Sequence, residues 1–174
     1  HPNKEAFRWT PAAGMMGLGN FGSNDWQSEA WATSADGMTV VGVGHLVGEG
    51  AAQSFLWTPG GGMQAIAGTP QGVAGEGRAI SVSADGTVVI GRWATTDEAK
   101  SYRWTAEEGA TALPELTGSG AYCDARAVSA DGQTVVGCER EAGSAETAWR
   151  AFRWTAGTGT IGLGDLPGGS FRSQ

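Results

Sequence analysis

One five-residue phrase returns four times along this chain of 174 residues, and the recurrence limits what the chain can fold into. The copies are Ala6-Phe7-Arg8-Trp9-Thr10, Ser54-Phe55-Leu56-Trp57-Thr58, Ser101-Tyr102-Arg103-Trp104-Thr105 and Ala151-Phe152-Arg153-Trp154-Thr155. Their tryptophans are 48, 47 and 50 residues apart. Between them lie Ser34-Ala35-Asp36-Gly37, Ser83-Ala84-Asp85-Gly86 and Ser129-Ala130-Asp131-Gly132. The register extends beyond these phrases. An Ala stands four residues before each Ser (Ala30, Ala79, Ala125), and a Gly five after each motif Gly (Gly42, Gly91, Gly137). Each motif Thr is followed at plus four by Gly (Gly14, Gly62, Gly109, Gly159) and at plus eight by Leu or Ile (Leu18, Ile66, Leu113, Leu163).

Each repeat reads as four short strands. Strand a ends at the Ser, and strand b follows the Asp-Gly, a dipeptide suited to a tight hairpin. Strand c is the aromatic phrase, and strand d ends on the aliphatic residue. Alternation places Phe7 and Trp9 on one face of strand c and Arg8 on the other. A unit of this size has two apolar faces and cannot bury both alone. The expectation is therefore an all-β fold of β-propeller blades, each of four antiparallel strands, with about three and a half repeats of 47–50 residues. A β-solenoid is the competing architecture, but its coils have a shorter period. The expected divisions are a half blade of strands c and d over 1–22, blades over 23–67, 68–118 and 119–169, and the start of a further strand over 170–174. Trp9, Trp57, Trp104 and Trp154 are then the repeated packing core between blades.

These phrases (AFRWT, a Gly-rich run to Leu, VSADG, VVG) resemble the HAF repeats, described as probable extracellular repeats, along essentially the whole chain. The resemblance implies an exported bacterial protein with a propeller-like fold. It does not imply an activity. Leu56, Thr33 and Pro114 depart mildly from the pattern.

A ring needs whole blades, and this pattern supplies three and a half. Two arrangements satisfy it: further repeats of a longer chain, or completion of the half blade by another copy. Two copies would make seven blades, and head-to-tail completion would make a filament. The chain begins at His1 rather than Met, as a mature product, an expressed piece or a fragment would. An open edge strand offers free N–H and C=O groups to such a partner.

Composition removes several classes. The net charge is −7 and the sequence pI about 4.7, so no basic surface is available for nucleic acid. No apolar run is long enough to span a membrane as a helix. Cys123 and Cys138 are placed symmetrically about Ser129 and Gly132. A two-residue hairpin loop would set them opposite each other for a disulfide, whereas a three-residue loop would offset them by one. A disulfide would agree with an extracellular or cell-surface location.

Length variation concentrates between strands b and c. Those connections share one face with the d–a connections, and loops on one side of a rigid scaffold commonly bind. Trp93, Trp149 and His45 fall in b–c segments and Trp26 in a d–a segment, which makes them the candidate residues for an extracellular glycan or protein. Catalytic chemistry has little material. The two histidines, His1 and His45, are far apart in sequence. The repeated Asp36, Asp85 and Asp131 supply too few oxygens for calcium and read as turn formers. Asp25, Glu29, Glu49, Glu76, Asp97, Glu98, Glu139 and Glu141 could include a glycosidase pair, but their spacing selects none. Arg8, Arg103 and Arg153 read as inter-blade ion-pair residues. The expectation is a non-catalytic extracellular binding or assembly domain without metal or cofactor. A polymerising structural subunit and a propeller hydrolase or lectin are the alternatives.

Overall fold

A computed structural model describes residues 4–21, 27–45, 52–66, 76–94, 99–116, 122–140, 143 and 148–164. Within them the chain forms strands and turns, without helix. The strands are β1 (Phe7–Thr10), β2 (Gly14–Gly17), β3 (Ser28–Thr33), β4 (Val40–His45), β5 (Ala52–Thr58), β6 (Gly62–Ala65) and β7 (Glu76–Val82). They continue with β8 (Val88–Ala94), β9 (Ala99–Thr105), β10 (Gly109–Ala112), β11 (Tyr122–Val128), β12 (Thr134–Arg140), β13 (Arg150–Thr155) and β14 (Gly159–Gly162). Antiparallel pairing joins them in chain order as a pair, β1–β2, and three four-stranded units, β3–β6, β7–β10 and β11–β14.

The repeated residues build the same turns each time. Ser34 Oγ donates to Asp36 Oδ1 (2.6 Å) and accepts the Thr39 N–H (2.9 Å). Asp36 Oδ1 also accepts the Met38 N–H (2.9 Å), and Gly37 takes a φ of 68°. Ser83/Asp85 and Ser129/Asp131 repeat the arrangement. The loop thus spans four residues between Ser129 and Thr134, closed by Ser129 N–H to Thr134 O (2.8 Å). In the c–d turns the motif Thr accepts a backbone N–H three residues on, as Thr58 does from Gly61 (3.1 Å). Successive a–b turns also bond to one another. Ala35 N–H donates to Ala84 O (2.9 Å), and Ala84 N–H to Ala130 O (3.0 Å).

Strand a carries a bulge at the same place in every unit, at Trp31, Ile80 and Arg126. Opposite it the strand-b glycine pairs with the strand-c aromatic: Gly42 with Phe55, Gly91 with Tyr102, Gly137 with Phe152. A Cβ on Gly91 would strike both the Arg78 carbonyl and the Tyr102 ring, and one on Gly42 or Gly137 would meet the equivalent groups. The glycine is required because a ring and a strand-a carbonyl occupy its side-chain space.

Packing is between units. Phe55 and Trp57 bury against Ala6 and Leu18 of the preceding pair. Tyr102 buries with Val41 and Ile66 of the unit before it, and Phe152 with Ile90 and Leu113. The Tyr102 hydroxyl reaches Ser54 Oγ across this joint (2.8 Å), and burial pushes its ionisation far upward. Trp57 is buried, and Trp104 and Trp154 are half-buried against these cores. Trp9 differs: it lies 60% exposed on the outermost face of the described residues.

Two sequence expectations are corrected. Cys123 and Cys138 are free thiols. The bulge at Arg126 slips the register, so Cys123 pairs with Glu139 and Cys138 with Asp124. Adjacent register positions on a strand face opposite sides. Cys123 accordingly enters the core, where burial pushes its thiol up to about 11, while Cys138 lies on the other face. Among the described residues the motif arginines make no inter-unit ion pair. Arg103 pairs with Glu108 of its own unit (3.1 Å), and Arg8 lies over the Trp57 ring (5.8 Å). Among the described residues the ion pairs across joints are Lys4–Glu29 (3.2 Å) and Arg92–Asp124 (3.9 Å).

Two measurements check this account. Gly91→Ala is expected to lose roughly 1–3 kcal/mol in urea unfolding through overpacking. Gly60→Ala, with open space at its Cβ, is expected to change stability by less than about 0.5 kcal/mol. Equal losses would refute the ring-on-glycine explanation. Thiol titration in denaturant without reductant is expected to count two free thiols, with Cys138 reacting ahead of Cys123 in the folded protein.

Candidate functional site

The candidate residues do not gather in one place. Trp26 lies outside the described residues, as do Asp25, Glu49, Asp97, Glu98, Glu141 and the segment 170–174. Trp93 pairs with Gly77 and Lys100 and packs half-buried against an inter-unit core. Trp149 lies in a groove on the outer face of the last unit, and the Arg140 guanidinium sits 5.6 Å from its ring and 4.6 Å from that of Tyr122. Glu139 is buried and accepts the Leu116 N–H (2.8 Å). The outer edge of β1 borders a trench of about 470 Å³ against β3.

His45 does enter a polar cavity. It ends β4, and near it stand Gln27, Glu29, Trp31, Val43, Ala52, Glu76 and Arg78 around a volume of about 140 Å³. Ala52 begins β5 and Glu76 begins β7, so the cavity opens at the end of the units that carries the b–c and d–a connections. It spans the joint between the first two four-stranded units. Two of the loop carboxylates, Glu29 and Glu76, meet here.

Their electrostatics argue for holding rather than cleaving. Glu29 receives Lys4 Nζ (3.2 Å) and the Trp31 indole N–H (3.5 Å). The Lys4 contact first, then Trp31, holds its carboxyl below the ordinary range. Glu76 pairs with Arg78, whose guanidinium lies 5.8 Å from the Trp31 ring centroid. A general acid of a glycosidase needs a carboxyl held protonated, and Glu29 is pushed the opposite way. The arrangement offers an indole 40% exposed, two carboxyl groups as acceptors and a guanidinium donor around one small space.

Sequence reasoning did not place Trp31 here. The available signal was its position: it stands where the other repeats carry Ile80 and Arg126, and all three are bulge residues. A bulge re-aims its side chain out of the regular pleat. The repeated aspartates, by contrast, are spent in their turns. A Ser hydroxyl first, then a backbone N–H, lowers the carboxyls of Asp36, Asp85 and Asp131. Among the described residues no group of three or more His, Cys, Asp or Glu is placed to hold a metal ion.

The all-β units and their face-to-face joints fit a β-propeller. Among solved structures the chain is similar to TolB from Acinetobacter baumannii, with a TM-score of 0.58 and 17% identity over 88% of this chain and 35% of that one. It is also similar to a protein described as a TolB of Agrobacterium tumefaciens, with a TM-score of 0.61 and 14% identity over 87% of this chain and 53% of that one. At these identities the likeness is one of fold, and the chain spans 35% and 53% of the two proteins' lengths. No protein-family model and no curated protein matches the sequence. No helix among the described residues is long and apolar enough to cross a membrane.

The turn aspartates give a pH prediction. A carboxyl lowered in the fold contributes stability that is full above its unfolded value, about 3.9, and is lost as pH falls through the folded value. Melting temperature is therefore expected to fall below about pH 4. The combined variant Asp36→Asn, Asp85→Asn, Asp131→Asn keeps an acceptor without the charge, and its decline should be shallower. Parallel curves would remove the turns from the acid response.

Proposed function

We propose that this chain is a non-catalytic, exported, propeller-like domain that binds a saccharide at the b–c and d–a end of its units. The observation that carries the reading is the cavity at the joint of the first two four-stranded units. Trp31 presents an indole on which the C–H face of a sugar ring can lie, and Glu29, Glu76 and Arg78 surround it with acceptors and donors for hydroxyls. A volume of about 140 Å³ is of the order of one sugar ring. The carboxylates are already engaged by Lys4 and Arg78, which favours recognition over acid–base chemistry.

Export is part of the proposal and rests on the resemblance to the HAF repeats. The free thiols lend it nothing. The ligand candidates Trp93 and Trp149 do not line this cavity, so the reading moves the weight to Trp31 and His45.

A glycan array followed by calorimetry on the best hit tests the proposal. Trp31→Ala is expected to weaken binding at least about tenfold, the value of one stacked ring. Glu76→Gln should weaken it as well, and Trp93→Ala should be tested alongside for folding. Failure of the unaltered protein to retain any glycan, or full affinity in Trp31→Ala, would sink the reading.

A further inference from the structure

The cations at the joint cavity rest on its acids and on its indole. Lys4 Nζ lies 3.2 Å from Glu29 Oε1, Arg78 pairs with Glu76, and the Arg78 guanidinium stands 5.8 Å from the Trp31 ring centroid. Two carboxyl groups and the face of an indole are the groups that recognise a cation. The lining is acidic on balance. Glu29 and Glu76 supply two formal negative charges against one positive charge on Arg78, with His45 counted neutral, and Lys4 is not part of the lining.

The second joint is built differently at the matching positions. Ile80 stands in place of Trp31, and Arg92 in place of Val43. Arg92 there reaches across to Asp124 (3.9 Å), so the chain meets that acid with a cation of its own from the wall. Val43 extends no cation into the first cavity. What meets Glu29 is Lys4, which comes from the rim, and the pair is exposed on both sides, at 69% and 46%. Exchanging so exposed an ion pair for another costs little. Glu29 is also the carboxyl held below its ordinary range, first by the Lys4 contact and then by Trp31, so it stays available to a cation into mildly acidic solution.

We infer that the saccharide bound here is an amino sugar, whose ammonium takes the place of Lys4 on Glu29 while the sugar ring lies on Trp31. The inference rests on the saccharide reading and narrows it. A uronic acid would set its carboxylate against Glu29 and Glu76. A neutral sugar would reach the same acids without a charge-assisted hydrogen bond.

Calorimetry of the whole chain with oligomers of glucosamine, N-acetylglucosamine and galacturonate, in buffer that keeps the amine protonated, reads the outcome. The glucosamine oligomer is expected to bind at least about tenfold tighter than its acetylated counterpart. Glu29→Gln should abolish that preference. Lys4→Met should tighten glucosamine binding about threefold and leave the acetylated oligomer unchanged. Glu107→Gln, on an exposed c–d turn, should change nothing, which separates the cavity from general attraction to a chain of net charge −7. Equal or tighter binding of the acetylated or galacturonate oligomer, still lost in Trp31→Ala, overturns the inference and leaves the saccharide reading standing. Glucosamine binding undiminished in Glu29→Gln, or unchanged in Lys4→Met, also overturns it. If no oligomer and no arrayed glycan is retained, the saccharide reading itself falls and takes this inference with it.

Discussion

A small sheet that is apolar on both faces must be covered on both faces, and the chain meets this by setting each unit against the next. The joint has fixed chemistry. An aromatic ring lies over a glycine of its own sheet and presses its outer side on aliphatic residues of the preceding unit. A strand-a carbonyl two residues before the bulge (Glu29, Arg78 or Asp124) lies over the same glycine, so ring, glycine and carbonyl are one device. Buried contact therefore scales with the number of joints rather than with the size of any one unit. Each isolated unit lacks a core of its own, and a two-sided sheet of about 45 residues would be marginal alone.

Much of this was legible in the sequence because repetition marks each role several times. The Ser, Asp and Gly of the a–b turn, the Thr and Gly of the c–d turn, and the alternation of Phe and Trp each recur with their spacing. The bulge was not legible. Trp31, Ile80 and Arg126 share no chemistry, and a bulge is a property of backbone pairing. That omission misplaced the cysteines. Their spacing is symmetric in sequence, but a four-residue loop followed by an extra residue slips the register by one. In a structure with a two-residue side-chain period, one slip sends the thiols to opposite faces.

The cavity was hidden for a different reason. It is assembled from the ends of β3, β4, β5 and β7, which belong to two units, and no spacing along the chain brings Glu29 next to Glu76. Only the joint does. Loop position placed His45 at that end of the units, where it ends β4. It said nothing about Trp31, which is a strand residue. Trp93 shows the converse: placed by its segment among the loops, it extends strand β8 and serves the core.

The hydrogen-bonded run from Ala35 through Ala84 to Ala130 has a consequence for how such chains can be inherited. Each turn gives its N–H forward and its carbonyl backward, so the two joints along it are interchangeable while the direction is not. A segment of genetic material encoding one period can be lost or duplicated at matching positions, and the turns on either side still meet with donor facing acceptor. A reversed unit would bring donor to donor. Unit number is thus free to vary by whole steps over time, while orientation is held by the backbone itself.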